Sequence, residues 1–216
     1  MSVRDFYNIH KGETCLIVGV GPNLKLTPPE WFDYPSLSCN SIFKYQGWQP
    51  TYYVGVDERL KLEEGENIKA AFPDIPKFIP SPDWDDLQGE NFYRFKHRQG
   101  SSLLIGGQSP RDANYLLGVG LTYRRVMDAV IQIAWYMGFS TMLMIGVQHK
   151  PDDPRAHFWG EDKGVIVDQP LKHWFDGYAE MARNVNLINI SEDTYVPDDI
   201  IPRDDWRNWY TAETVT

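Results

Sequence analysis

Two histidines in one predicted loop are the side chains best suited to acid–base chemistry. His149 and His157 lie eight positions apart in a polar stretch, and aromatic and acidic residues surround the second of them. A histidine suits general-base catalysis because its unperturbed pKa lies near neutrality. We take His157 as the first candidate for a catalytic base, His149 as the second and His173, in the next predicted helix, as the third. For any single histidine, a surface or hydrogen-bonded structural role is the alternative.

Cationic side chains stand near these histidines or at a predicted helix start. Arg124 and Arg125 open a predicted helix after the glycine-containing segment 118–122, and Lys150 follows His149. The first N–H groups of a helix have no partner within it and attract anions, and arginine adds a fixed positive charge. These residues predict an anion site, with a solvated first helical turn as the alternative.

A tight glycine turn follows the first predicted strand, residues 16–18. Glycine is needed where main-chain N–H groups must approach a ligand closely, and such a turn in an open α/β sheet commonly binds a nucleotide phosphate. Gly19 and Gly21 match the first two glycines of the dinucleotide fingerprint, whereas Leu24 occupies the third position and Pro22 lacks an N–H. The turn, including Asn23, therefore predicts a nucleotide site and gives little support for NAD.

Further candidate cofactor-binding residues lie at other predicted strand and helix ends. Asn40 can both donate and accept hydrogen bonds, so it could contact a ribose, a base edge or a phosphate, with a local turn bond as the alternative. Asp57 could bind a sugar hydroxyl or a metal, but a predicted helix begins directly after it, which favours a capping role. Gly120, Thr122 and Gln148 complete this set.

Strands alternate with helices along the chain, which predicts an α/β protein. We predict a Rossmann-like three-layer fold with a mainly parallel central sheet, in one domain of residues 1–216. Residues 80–120 are interpreted as a loop-rich insertion and residues 147–168 as a mobile lid. The predicted strands are residues 16–18, 36–39, 51–57, 77–79, 91–96, 141–146 and 187–190, and the predicted helices are residues 58–71, a segment capped by Thr122 and ended by Gly138, and 170–184.

Composition excludes several classes of protein. The net charge of −9 argues against a broad surface for nucleic-acid backbones. Cys15 and Cys39 lie in apolar runs without a CxxC motif, which predicts buried, reduced thiols. Neither a signal peptide nor a membrane-length apolar run is present, so we expect a cytoplasmic protein. Zinc, P-loop and GxSxG signatures are absent from the sequence, and we expect no metal site.

Several short motifs, taken in order, resemble the bacterial sialyltransferases of glycosyltransferase family 42 and the related domain of unknown function 115. They are Ile17-Val18-Gly19-Val20-Gly21-Pro22-Asn23-Leu24, Cys39-Asn40, the glycine-containing helix start at Thr122, Met144-Ile145-Gly146-Val147 and His157-Phe158-Trp159-Gly160. The family has a similar glycine turn, a Cys-Asn after the second strand and a small-residue turn before a helix. Val20 stands where the family has asparagine, and Gln148 stands where it has an acid.

The resemblance implies a metal-independent transferase that uses a nucleotide-sugar donor, a CMP-sugar in this family, with no tightly bound cofactor. Its partners would be that donor and a glycan or other hydroxyl acceptor, with self-association into a homo-oligomer left open. A loop histidine would deprotonate the acceptor. Two alternatives remain: a diphosphotransferase of the hydroxymethylpterin pyrophosphokinase type, and a non-catalytic nucleotide- or glycan-binding protein. The residues that would hold the donor are Gly19, Gly21, Pro22, Asn23, Asn40, Gly120 and Thr122.

Overall fold

The structure, a computed structural model, describes residues 2–98, 110–123, 125–150, 157–160 and 171–211, with the main chain alone described for 171–174. In this part of the chain, seven strands form one sheet and every pairing between them is parallel. The strands are β1 (Thr14–Val18), β2 (Ser36–Cys39), β3 (Tyr52–Val54), β4 (Lys77–Ser81), β5 (Phe92–Lys96), β6 (Thr141–Ile145) and β7 (Asn186–Asn189). Their order across the sheet is β5-β4-β3-β2-β1-β6-β7.

Both faces of this sheet are covered, which explains why its central strands are apolar without alternation. Side chains of β1 point alternately to the two faces. Cys15 and Ile17 belong to one buried cluster, and Leu16 and Val18 belong to another on the opposite face. The two clusters are the two interlayer cores of a three-layer α/β fold, so the predicted Rossmann-like class is confirmed.

Three α-helices supply the outer layers among the described residues. They are α1 (Glu58–Ala71), α2 (Val126–Tyr136) and α3 (Leu171–Ala182). α1 buries Ile68 against the face that carries Leu16, whereas α2 and α3 pack on the other face. Ten of the eleven residues of α2 are buried, from Met127 to Tyr136, so this helix is apolar nearly all round rather than along one stripe.

Helix ends were predicted with mixed success. Asp57 is the N-cap of α1, and its carboxylate accepts hydrogen bonds from the N–H groups of Arg59 and Leu60. Thr122 was predicted to cap α2, and this is wrong: Arg125 is the N-cap, and its N–H donates to the Asp128 carboxylate at 3.1 Å. The cap thus lies three positions later than predicted, at a residue with extended φ and ψ directly before the helix.

The predicted insertion at 80–120 contributes to the sheet in its described part. β4 ends inside it, β5 lies wholly within it, and a π-helical turn spans Tyr115–Val119. The two strands pair in parallel over five residues, from Lys77 with Phe92 to Ser81 with Lys96. This segment therefore adds an edge strand to the common sheet.

The order of strands reverses at β1. From β1 the chain proceeds outward through β2, β3, β4 and β5, and it then returns so that β6 lies on the other side of β1. In open α/β sheets, ligands bind outside the carboxyl ends of the strands at such a switch point. The fold therefore draws attention to the loops after Val18 and Ile145.

None of the helices in the described segments combines the length and the apolar character that crossing a lipid bilayer requires.

Candidate functional site

The glycine turn after β1 packs directly against the loop after β6. A Cβ added at Gly19 would lie 2.5 Å from the carbonyl oxygen of Gly146, and one added at Gly21 would lie 2.7 Å from it. Gly146 itself has a φ of +66°, and a Cβ there would lie 2.6 Å from the carbonyl oxygen of Gly19. All three positions require glycine because two backbones meet here. The contact joins the two loops at the switch point.

Some amide groups of the turn are already engaged. Gly19 N–H donates to Ile145 and Gly21 N–H donates to the Gly146 carbonyl, at 2.9 and 2.8 Å. Pro22 has no N–H. Within the described residues, the N–H groups of Val20 and Asn23 have no hydrogen-bond acceptor. The turn therefore has two N–H groups that could donate to a ligand. Its glycines are needed for the close contact with the loop after β6.

The side chains of Asn23 and Gln148 hold the segment that follows β7. Asn23 is buried, and its amide donates to the Glu192 and Asp193 carbonyls at 2.9 and 3.5 Å. Gln148 is also buried and donates to the Asp193 carboxylate at 2.7 Å. Both donor groups are thus committed to the protein. The Oδ1 atom of Asn23 is buried and has no partner in the described part of the chain.

Asn40 follows β2 in an unusual conformation. Its φ is +51°, in the left-handed region that asparagine tolerates better than most residues. Its carbonyl oxygen accepts a hydrogen bond from the Tyr53 hydroxyl at 3.0 Å. Its side-chain Oδ1 is buried and unpartnered among residues 2–98 and the other described segments. Since buried acceptors are normally satisfied, an N–H or O–H donor on a ligand would suit this atom.

Buried polar groups gather around the start of α2. Thr122 and Gln132 are buried, and the Gln132 amide donates to the Thr122 carbonyl at 2.8 Å. The Thr122 hydroxyl and the Gln132 Oε1 have no partner in the described segments. Asp128 is fully buried in the first turn of α2, where the helix dipole favours a negative charge. The Arg125 guanidinium lies over the ring of Tyr178, 5.2 Å from its centroid.

His149 is part of this polar region and is a weak base. Its φ is +53°, and its Nε2 shares a hydrogen bond of 2.8 Å with the Tyr178 hydroxyl. Burial, with a smaller contribution from the nearby Arg125 charge, lowers the pKa of His149 to about 3. The ring is therefore neutral at physiological pH. A base of this strength would remove a proton from a hydroxyl poorly, which favours a structural role.

This burial predicts a pH dependence of stability. In the unfolded chain His149 has a pKa near 6.5, so as the pH falls below that value the unfolded state takes up a proton that the folded state refuses. The native protein should lose about 1 kcal/mol of unfolding free energy through this residue between pH 6.5 and about pH 5.5. His149→Asn, which tolerates the positive φ, should flatten the urea-unfolding free energy over that interval. Equal slopes in both proteins would contradict the prediction.

His157 lies beside the glycine turn. The neighbouring Phe158 is buried, and its N–H donates to the Val20 carbonyl at 3.0 Å. The His157 ring packs against Trp159, with 4.3 Å between centroids, and Trp159 in turn lies 5.0 Å from the Lys44 ammonium. His157 is thus directly next to a residue that is hydrogen-bonded to the turn.

The other predicted site residues lie in varied settings. Gly120 has a φ of +85° and packs against the Lys96 carbonyl, where a Cβ would lie at 2.5 Å. The Lys150 ammonium sits over the ring of Tyr195 at 5.4 Å. Asp57 is exposed and engaged as a helix cap. Arg124 and most of the predicted lid lie outside the described residues, and so does the side chain of His173, whose main chain is in the first turn of α3.

Sequence reasoning missed three residues of this region. The Tyr178 hydroxyl in α3 shares a hydrogen bond with His149, the Asp128 carboxylate accepts one from the Arg125 N–H, and the Asp193 carboxylate accepts one from Gln148. An acidic residue three positions after the cap is one half of a capping box, but Arg125 is not the Ser or Thr expected at the cap, so the sequence signal for Asp128 was incomplete. Tyr178 and Asp193 had none, because their partners are distant in the chain.

The part of the chain that the structure describes contains no group of three His, Cys, Asp or Glu side chains placed to hold a metal ion.

Cys15 and Cys39 are free and buried in β1 and β2, which confirms the prediction of buried thiols. Burial raises the pKa of Cys39 to about 12.

Comparison with known proteins gives a structural likeness. No protein-family model matches the chain, and no curated protein matches it in sequence. In three dimensions the chain is similar to the sialyltransferase CstII from Campylobacter jejuni, in a complex with a substrate analogue, cytidine-5'-monophosphate. The TM-score is 0.57 at 10% sequence identity, and the alignment covers 94% of this chain and 88% of that one. At this identity the likeness shows a shared Rossmann-like fold.

Proposed function

We propose that this protein is a nucleotide-sugar-dependent glycosyltransferase of the sialyltransferase-like class, with a CMP-sugar as its donor. The observation that carries the proposal is the hydrogen bond from Phe158 N–H to the Val20 carbonyl. It joins the residue after His157 to the glycine turn, at the switch point of a fold that a sialyltransferase shares. A general base and a binding site for the donor phosphate would then be neighbours. Transfer of a sugar from its phosphate to an acceptor hydroxyl needs both.

The donor phosphate would lie at the turn. The N–H groups of Val20 and Asn23 would donate to its oxygens, since both lack an acceptor among the described residues. Pro22–Lys25 forms a short 3₁₀ turn there. The Arg125 cation would balance part of the charge that grows on the phosphate as the bond to the sugar breaks. Asn40 Oδ1 would accept from a hydroxyl or amino group of the nucleoside.

The His157 imidazole would act as general base. One ring nitrogen takes the proton of the acceptor hydroxyl, the acceptor oxygen forms a bond to the anomeric carbon, and the bond from that carbon to the phosphate oxygen breaks. The electron pair of this bond stays on CMP, which leaves as the phosphate monoester. Each proton and charge is accounted for without a metal, so we propose metal-independent catalysis in one domain of residues 1–216.

Nucleotide binding is the first test of this proposal. CMP at one hundred times its Kd should raise the unfolding free energy by roughly 2.7 kcal/mol, a clear rise in melting temperature. A panel of nucleoside mono- and diphosphates should give smaller rises. No rise with any cytidine nucleotide would refute the donor. Stabilisation without transfer would instead identify a non-catalytic binder, and transfer of diphosphate from ATP that stops with a chelator would identify a diphosphotransferase.

Two asparagines provide a matched pair of variants for this test. Asn40 and Asn91 have φ values of +51° and +61°, but Asn91 precedes β5 and so lies at the opposite edge of the sheet. Asn40→Asp adds a negative charge at the proposed contact with the nucleoside of an anionic ligand and should abolish most of the shift with CMP. Asn91→Asp should leave the shift unchanged. Equal shifts in the two variants would remove Asn40 from the site.

A further inference from the structure

A shallow cavity, widely open to solvent, lies on one side of the glycine turn, between the segment after β7 and the carboxyl-terminal segment of the described chain. Its volume is about 470 Å³, within the range of about 300–1,000 Å³ that small-molecule sites occupy. It opens at the end of β7, on the same edge of the sheet as the turn. Its lining includes Glu192, Asp198, Arg203 and Trp206.

Glu192 connects this cavity to the proposed donor site. Its carbonyl accepts a hydrogen bond from Asn23 in the glycine turn, at 2.9 Å. Its carboxylate accepts one from the Trp206 indole N–H, at 2.7 Å, in the wall of the cavity. One residue therefore has its main chain against the turn and its side chain in the cavity. Two ligands bound at these places would be neighbours.

The proposed base lies on the same face of the sheet as the cavity. Phe158 is part of the buried cluster on the face of Leu16, and Val20, Trp159 and Trp206 pack against that cluster. The segment of His157, the glycine turn and one wall of the cavity thus share a single core. A substrate in the cavity would approach the turn from the side on which His157 is held.

The chemistry of the lining suits a sugar. Carboxylates accept hydrogen bonds from hydroxyl groups, and guanidinium groups donate to hydroxyl and ring oxygens. Arg203 lies 3.8 Å from the Asp198 carboxylate, which is too far for a tight ion pair. Its N–H groups can therefore donate to a ligand in place of this contact. Trp206 is fixed by its bond to Glu192 and by Trp31, with 4.4 Å between ring centroids. The lining has four carboxylates and two arginines, so its net negative charge disfavours an anionic ligand, and its carboxylates would accept hydrogen bonds from the hydroxyls of a neutral, polyhydroxylated one.

We propose that this cavity is the acceptor site, and that it binds the terminal sugar of a neutral glycan. The inference rests on the proposed function, because it makes the cavity the source of the hydroxyl that His157 deprotonates. Arg203 and Glu192 bind the sugar hydroxyls, and the connection through Asn23 holds the sugar next to the donor.

Saccharide binding to the full chain tests this inference separately from the donor. The probes are glucose, galactose, N-acetylglucosamine, lactose and maltose, titrated by saturation-transfer difference NMR, with CMP stabilisation measured in parallel. For at least one of these saccharides, the binding signal should reach a plateau as its concentration rises. Arg203→Ala should weaken its binding roughly tenfold or more through a lost charged hydrogen bond, and Glu192→Gln, which can still accept from Trp206, should weaken it in the same direction.

Arg59→Ala is the matched control. Arg59 lies 3.8 Å from Glu63 on the exposed face of α1, the same separation as in the pair of Arg203 and Asp198. Its saccharide affinity should equal that of the wild type, and all variants should keep the shift with CMP. No saturable probe, equal affinities in Arg203→Ala and Arg59→Ala, or displacement of the sugar by CMP would each overturn the acceptor site. If CMP did not stabilise the wild type while saccharide binding still depended on Arg203, the proposed donor would be refuted. The cavity would then be a saccharide-binding site without a neighbouring donor site.

Discussion

His157→Ala should lower the turnover number of sugar transfer about 10²- to 10⁴-fold, the usual contribution of a positioned general base. CMP should stabilise the variant as it does the wild type, because the proposed donor contacts lie in the turn and not in the imidazole. The measurement is steady-state transfer with saturating donor and acceptor. Added imidazole should restore part of the rate, since the alanine leaves space for a free base beside the glycine turn.

His10→Ala is the matched control for this variant. His10 precedes β1, at the opposite edge of the sheet, where its ring bonds Glu13 at 2.8 Å and the Tyr52 hydroxyl at 2.7 Å. Its loss should lower stability without a comparable fall in turnover. Turnover in His157→Ala within twofold of the His10→Ala value would assign the base to another residue.

Gly19→Ala should disrupt the contact between the two loops. The added Cβ would lie 2.5 Å from the Gly146 oxygen and 3.0 Å from its carbon, and neither backbone can yield without moving its strand end. We expect a loss of about 1–3 kcal/mol in unfolding free energy, the range for overpacked sites, and loss of the shift with CMP. Thermal unfolding with and without CMP measures both effects.

Gly118→Ala is the control, because it replaces a glycine that is not in a close backbone contact. A Cβ at Gly118 would meet only the Asn114 Cβ, at an ordinary 3.8 Å, and the residue has no positive φ. This variant should unfold within about 0.5 kcal/mol of the wild type, as surface substitutions commonly do. If Gly19→Ala melted at the same temperature as Gly118→Ala, the close approach of the two loops would be contradicted.

Local patterns predicted the elements whose signals are short in range. The apolar run from Thr141 to Ile145 indicated a central parallel strand, and it is β6. The predicted helix 58–71 with Asp57 as its cap matches α1, because capping depends on atoms within three residues. The start of α2 was placed too early, at Thr122, since a threonine can cap a helix but the competing capping box of Arg125 and Asp128 lies three residues further on.

The candidate histidines show where local reasoning stops. Both His149 and His157 stand in one predicted loop, and sequence alone ranked them by position and neighbours. Burial, in a site where its ring meets Tyr178 of α3, gives His149 a pKa of about 3. The hydrogen bond from Phe158 N–H to the Val20 carbonyl brings the segment of His157 to the glycine turn. These partners are far away in the chain, so no pattern around either histidine contains them.

By itself, therefore, the sequence determined the α/β class, the glycine turn and the residue types available for chemistry, because periodicity, capping and glycine spacing act over a few residues. The tertiary structure alone decided which groups meet. It engaged the Gly19 and Gly21 amides with the loop of β6, buried His149, and joined Asn23 to Glu192 across 169 positions. Parallel strand ends converge at one edge of the sheet whatever their separation in the chain, and desolvation there sets which side chains keep their charge.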